Sequence, residues 1–316
     1  MMRLFAGGRG IWTRGSQAKT PAPPLCIEVL WALVGQAFSL PRGCHRLLFA
    51  MFLFATLAGA QTLPLEPFHN SGQGVTAAFE GWFANPDGSY SILLGYYNRN
   101  QQQELEIPIG PQNRIEPGGP DRGQPTHFLP GRQWGLFTIT VPKDFGDQKL
   151  TWTLTANGQT TAVPASLAPL WEVEPFKDAN GNTPPALRFE GGASVQGPRP
   201  VEVTLAGSSP LTLTVFASDD ASVIPGMRQP RTPPVTLTWS KYRGPGSVTF
   251  TNARPPVEKT GDPAATAAFT GKASTTATFS APGEYLLHLV ANDWSGKGGG
   301  GFQCCWTNAL VKVSVK

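Results

Sequence analysis

Residues 278–293 (TFSAPGEYLLHLVAND) constrain this chain more than any other stretch. Pro282-Gly283 marks a turn, and strict alternation follows. Tyr285, Leu287, Leu289 and Ala291 share one face; Glu284, Leu286, His288 and Asn292 share the other. A period of two predicts a strand with one face turned to a core. Upstream, Val235, Leu237 and Trp239 alternate with Thr236, Thr238 and Ser240 in the same way. With 36 glycines, 31 prolines and only 15% charged residues, the composition favours many short strands and tight turns. After residue 60 no long stretch places apolar residues at helical spacing.

The net charge of +4 comes from the N-terminal part. Six of the 25 basic residues (Arg3, Arg9, Arg14, Lys19, Arg42, Arg46) precede residue 61, with one of the 21 acidic residues, Glu28. The rest of the chain is close to neutral and has no clustered Lys/Arg stripe. Nucleic acid is therefore not an expected partner.

Residues 47–57 (LLFAMFLFATL) are an apolar run after Arg42, His45 and Arg46, and Ala58-Gly59-Ala60 closes it. Basic, apolar, then small-x-small is the plan of a signal peptide, so cleavage is expected after Ala60. The run is too short to cross ~30 Å of hydrocarbon as a helix. No cysteine stands at the cleavage point to take a lipid. The reading is an exported protein, in periplasm, on the surface or in the medium, with no membrane span in the mature chain. A signal peptide seldom has so long a forepart, so translation is expected to start further in than Met1.

The expected fold is all-β, with two consecutive antiparallel β-sandwich domains. Residues 1–60 are leader and 61–71 an N-terminal linker. A first sandwich is expected over 72–175, a linker over 176–185, and a second sandwich over 186–316. In the first, Val75, Ala77, Phe79 and Phe83 alternate with Thr76, Ala78, Glu80 and Trp82. The turn Asn85-Pro86-Asp87-Gly88 joins them to residues 89–98 as a hairpin. Residues 105–109 read as an edge strand because of Pro108, and 110–131 as a long Pro/Gly-rich loop. Leu150, Trp152 and Leu154 lead through Asn157-Gly158 into a second hairpin. In the second sandwich, strands are expected near 201–205, 211–215, 235–241, 246–250, 284–292 and 309–315. A tyrosine just after a turn, opening a late strand, is the pattern of the tyrosine corner.

Thr236-Leu237-Thr238-Trp239, Gly244-Pro245-Gly246, then Phe279, Pro282-Gly283, Tyr285, Leu287, Leu289, Ala291 and Asp293 resemble PKD-type and related immunoglobulin-like modules of exported proteins. The resemblance covers roughly residues 200–316. It implies an immunoglobulin-like second sandwich acting as a binding or spacer module, not a catalyst. One departure is that Asp293 leads into Trp294 and a glycine-rich insertion in place of a short turn. With residues 123–130 and 303–308 included, the chain is also similar to a recurring type of exported bacterial protein; that adds no activity.

Several residues are candidates for chemistry. Cys304 and Cys305 are adjacent. In a loop they can close a vicinal disulfide; in a strand they point apart and stay two thiols. In an immunoglobulin topology the loop carrying Asp219 and Asp220 emerges at the same end as the loop carrying Asp293, Trp294 and Trp306. These five residues form the expected ligand-binding site, for a protein or glycan partner. Oxygen ligands gathered there can hold Ca²⁺, the one cofactor considered; carboxylates capping turns are the plainer alternative. The run Asp178-Ala179-Asn180-Gly181-Asn182 resembles the start of a calcium loop. Thr183 replaces the glycine such a loop needs, and no closing glutamate follows, so an Asn-Gly turn is the simpler reading. The glycine-rich run 295–301 is expected to fold against the Asp219–Asp220 loop.

Two alternatives stand beside a non-catalytic module. Trp82, Tyr90 and Tyr96 have the parity opposite to the expected core face. Exposed, they would offer a carbohydrate-binding platform. Packing of that side against a loop or the other domain is the competing explanation. A hydrolase site around His127 in the 110–131 loop, with Asp121, Arg122 and Arg132 nearby, is the other alternative. No nucleophile elbow accompanies it. A pocket joining His127 to two carboxylates would favour the hydrolase; a flat aromatic row would favour sugar binding.

Overall fold

Local period-two patterns account for most of the strands, and the contacts between their faces set the architecture. The computed structural model describes residues 69–316, apart from 191, 207, 224, 225, 227, 261–266 and 296–303. The leader and the glycine-rich run therefore lie outside the described residues, except Ser295. The first half runs β1 (Val75–Ala84), β2 (Tyr90–Asn98), β3 (Leu105–Glu106), β4 (Asn113–Glu116), β5 (His127–Phe128), β6 (Gly131–Val141), β7 (Leu150–Ala156) and β8 (Gln159–Ala165). A 3-10 turn, Pro169–Trp171, follows. The second half runs β9 (Ala186–Phe189), β10 (Ser194–Gln196), β11 (Val201–Ala206), β12 (Leu211–Asp219), β13 (Thr236–Arg243), β14 (Val248–Phe250), β15 (Glu258–Lys259), β16 (Phe269–Phe279), β17 (Gly283–Asn292) and β18 (Trp306–Val315). Among the described residues no helix is long and apolar enough to cross a membrane.

The strands form several sheets, mostly antiparallel. In the first half β1-β2-β6 and β4-β7-β8 enclose one core, and β3 pairs with β5. In the second half β10-β9-β12-β16-β14, with β15 on β16, faces β11-β18-β17-β13. One pairing departs from the antiparallel expectation: β11 lies parallel to the final strand, β18. The hairpins at 85–88 and 157–158 form as expected, with Asn157 (φ 49°) and Gly158 (φ 75°) supplying the left-handed steps. The loop expected over 110–131 contains β4 and β5. Strands β9, β10, β15 and β16 were not legible as such.

The second core is built from the expected faces. Tyr285, Leu287, Leu289 and Ala291 of β17 meet Leu237 and Trp239 of β13 and Ala309, Val311 and Val313 of β18. Each fully buried Val or Leu contributes about 1.5–3 kcal/mol. The Tyr285 hydroxyl donates to the Ala281 carbonyl at 2.8 Å, tying the start of β17 back to the turn before it.

Part of the other face of the β17 sheet is also buried, while Glu284, Lys312 and Ser314 on it stay exposed. Tyr242 of β13, Leu310 of β18 and Leu286 of β17 pack into the first core. The described residues thus form one contact unit with two cores, and the β11-β18-β17-β13 sheet contributes side chains to both. Polar contacts line the seam. Tyr242 donates to the Gly123 carbonyl, Arg243 clamps Asp121 at 2.9 and 3.0 Å, and Thr126 N–H donates to the Tyr242 carbonyl at 3.1 Å.

Candidate functional site

The expected aromatic platform is not exposed. The register of β1 against β2 shifts between Phe79 and Gly81, where Gly81 takes φ 126°. This β-bulge reverses the parity of the residues that follow. Trp82 therefore joins the first core, 8% exposed, and Phe83 packs edge-on to Phe176 at 5.3 Å. Tyr96 is 2% exposed in that core, and its hydroxyl accepts from Leu129 N–H at 2.8 Å. Tyr90 is partly buried, edge-on to Trp82 at 5.4 Å. The segment around the 3-10 turn covers this region, and the Trp82 indole donates to the Ala168 carbonyl at 2.9 Å. The face read as outward is the core face of β2, with Ile92 and Leu94 on it.

His127 lies in a groove of about 880 Å³ together with Glu104, Glu106 and Lys241, walled by Pro108 and Phe250 among others. Its Nδ1 is 2.9 Å from Glu106 Oε1, and its Nε2 is 3.2 Å from Glu104 Oε2. The Lys241 ammonium reaches the same Glu106 oxygen at 2.5 Å. The groove thus joins His127 to two carboxylates. The partners expected from the sequence are elsewhere: Asp121 is held by Arg243, Arg132 by Glu80, and Arg122 donates to the Pro117 carbonyl. Glu104, Glu106 and Lys241 were missed. Glu104-x-Glu106 alone is a common strand pattern, and nothing local links it to a lysine 135 residues on.

The loop cluster at the end of the second sheet pair does gather. Asp219 closes β12, and Asp293 follows β17. Trp294 donates its indole N–H toward the carbonyls of Thr232 and Pro233, at 3.2 and 3.0 Å, so the two loops meet at one end. A third segment, unexpected there, completes the group. Asp178 Oδ1 accepts from Asn180 and Asn182 N–H at 2.8 and 3.0 Å, which makes the 178–182 turn. The turn aims Asn182 at Asp293, its Nδ2 donating to Oδ2 at 2.7 Å. Thr183 donates through N–H and hydroxyl to Asp220 Oδ2 at 2.9 and 2.8 Å. The alternating Asp178, Asn180 and Asn182 were the sequence signal for this segment.

The electrostatics follow from that crowding. Burial, then the charges of Asp293 and Asp220, push Asp219 up to about 7 against the one backbone hydrogen bond from Ala221. Burial also raises Asp293, against hydrogen bonds from Ser295 and Asn182. For Asp220 burial is outweighed by hydrogen bonds from Ser222 and Thr183, which hold it below the usual range.

Cys304 and Cys305 are joined as a vicinal disulfide just ahead of β18. Both are buried, with the sulfurs 3.9 and 3.4 Å from the Asn182 carbonyl oxygen. Trp306, by contrast, expected with these residues in an exposed ligand site, is buried. It is 1% exposed, and its indole donates to the Gly135 carbonyl in the seam between the cores. No family model and no curated protein matches the chain.

Proposed function

We propose that this is an exported, non-catalytic binding or structural module, and that its ligand surface is the groove between β3–β5 and β13–β14. The groove itself carries this reading: apolar walls around a few converging polar groups are the usual make-up of a ligand site. The same groups argue against catalysis. Both ring nitrogens of His127 face carboxylates, Nδ1 toward Glu106 and Nε2 toward Glu104, and not a hydroxyl or thiol that could serve as a nucleophile. Lys241 is likewise occupied by Glu106. Export rests on the leader, and the immunoglobulin-like character of the second half on the tyrosine corner and the Trp239 strand.

His127 between two carboxylates does favour a hydrolase as the second reading. A panel of chromogenic ester, amide, phosphate and glycoside substrates decides between them. The module reading expects no turnover. Turnover abolished by Glu104→Gln or His127→Ala would replace it with the hydrolase. Export is tested by N-terminal sequencing of protein recovered outside the cytoplasm: Gln61 is the expected first residue, and a chain retaining 51–60 would refute it.

A further inference from the structure

We propose that Asp219, Asp220, Asp293 and Asn182 bind a calcium ion that fastens the 178–183 turn to the loops after β12 and β17. The carboxylates come from two separate loops and the amide from a third segment, so the ion would tie together parts distant in sequence.

Two orphaned atoms carry the inference. Asn182 Oδ1 and Asp219 Oδ2 are both buried and have no hydrogen-bond partner among the described residues. Their residues are 5% and 4% exposed. Leaving a buried polar atom unpaired is costly, and native structures rarely tolerate it without a bound species. Both orphans are oxygen acceptors, so the missing species is a donor or a cation. Asn182 is already directed into the cluster by its bond to Asp293. Among the described residues no Lys or Arg forms an ion pair with Asp219, Asp220 or Asp293. A cation would meet both orphans and the like-charge crowding together.

The donor set selects the ion. All the candidate ligands are oxygens, which suits a hard cation and not zinc or copper. They come from irregular loops and include an amide, as calcium accepts. Magnesium demands near-ideal octahedral geometry and keeps much of its water. No three His, Cys, Asp or Glu side chains among the described residues form a metal set by themselves. The proposed site therefore depends on the Asn182 amide oxygen as well as on the carboxylates. The cluster shares no residue with the groove, so this inference stands or falls apart from the ligand reading.

Thermal unfolding of the whole mature chain, with 1 mM Ca²⁺, 1 mM Mg²⁺ or EDTA, is the first test. Calcium is expected to raise Tm by about 5 °C over EDTA, an ordinary linkage effect for a chain of this size, and magnesium by much less. Equal melting in calcium and EDTA overturns the proposal, as does an equal shift in magnesium. Terbium luminescence excited through tryptophan is the second, because Trp294 directly follows Asp293. Emission should appear, be displaced by Ca²⁺, and fall at least tenfold in Asp219→Asn, which keeps the oxygen that Ala221 N–H uses. Emission that calcium does not displace, or that Asp219→Asn leaves intact, would show the ion to be adventitious. Should Asp219→Asn not fold, Asn182→Ala measured the same way replaces it, with the same two outcomes.

Discussion

Trp306 lies directly over Gly135: its indole N–H donates to the Gly135 carbonyl at 3.1 Å, and a Cβ on that glycine would fall 2.2 Å from Trp306 Cζ2. Gly135 also takes φ 49°, which an L side chain enters at a cost. The glycine on β6 therefore lets the last strand of the second core approach the first. Asn308, two residues on, donates to the same carbonyl.

Gly135→Ala should destabilise the protein by about 2–4 kcal/mol, combining overpacking with the left-handed backbone. The urea midpoint reads it. An unchanged midpoint would mean that Trp306 moves freely and the seam is not packed.

Trp239 is 2% exposed in the second core, 6.3 Å from the Phe189 ring and 6.2 Å from Phe250. Emptying that site with Trp239→Ala should cost about 3–5 kcal/mol. Its indole N–H has no partner among the described residues. Trp239→Phe should therefore cost clearly less, since no hydrogen bond is lost. Equal losses in the two variants, by denaturant titration, would contradict this packing.

Removing the Tyr285 hydroxyl breaks one bond and leaves the ring buried. Tyr285→Phe is expected to lower stability by about 1 kcal/mol, the usual worth of a single neutral hydrogen bond. A loss above twice that would show that the hydroxyl holds more than the Ala281 carbonyl.

His288 is buried between the cores, with the Asn308 side-chain oxygen 3.0 Å from Nε2 and the Tyr242 ring 6.1 Å away. Burial, opposed by the Asn308 hydrogen bond, lowers it from 6.5 to about 4. The unfolded chain therefore takes up a proton near pH 6.5 that the folded chain refuses until about 4. Between those values stability falls as pH falls. Between pH 7 and 4.5 this group should remove on the order of 2 kcal/mol. Melting curves of the wild type and His288→Gln over that range check it: the variant should lose less. Parallel losses would mean that His288 is protonated in the folded protein.

Alternation made the inward faces of β7, β13 and β17 legible before any coordinates, because side-chain direction along a strand is a local property. Leu150, Trp152 and Leu154 are all buried, as are Leu237 and Trp239. The same rule misplaced Trp82, because one extra residue at the bulge inverted the end of β1, and Gly81, a glycine inside a strand pattern, was the local sign of it. Tyr96 was misplaced for another reason: it pairs with Ala77 ahead of the bulge, on the core face, and only the pairing of β1 with β2 shows that. The site divided in the same way. Asp219, Asp220 and Asp293 could be grouped from strand order, but Asn182 looked like part of an isolated turn.

The sequence by itself determined that this chain builds strands and tight turns, and which face of its strongest strands meets a core. The tertiary structure alone decided what lies on the opposite faces. Leu286, His288 and Leu310 sit where a half-exposed strand would meet solvent, and they are covered because a second core packs there. Likewise Asn182 reaches Asp293 across 111 residues. Period and turn chemistry act over a few residues, whereas the burial of a second face and the meeting of distant oxygens depend on how whole sheets dock.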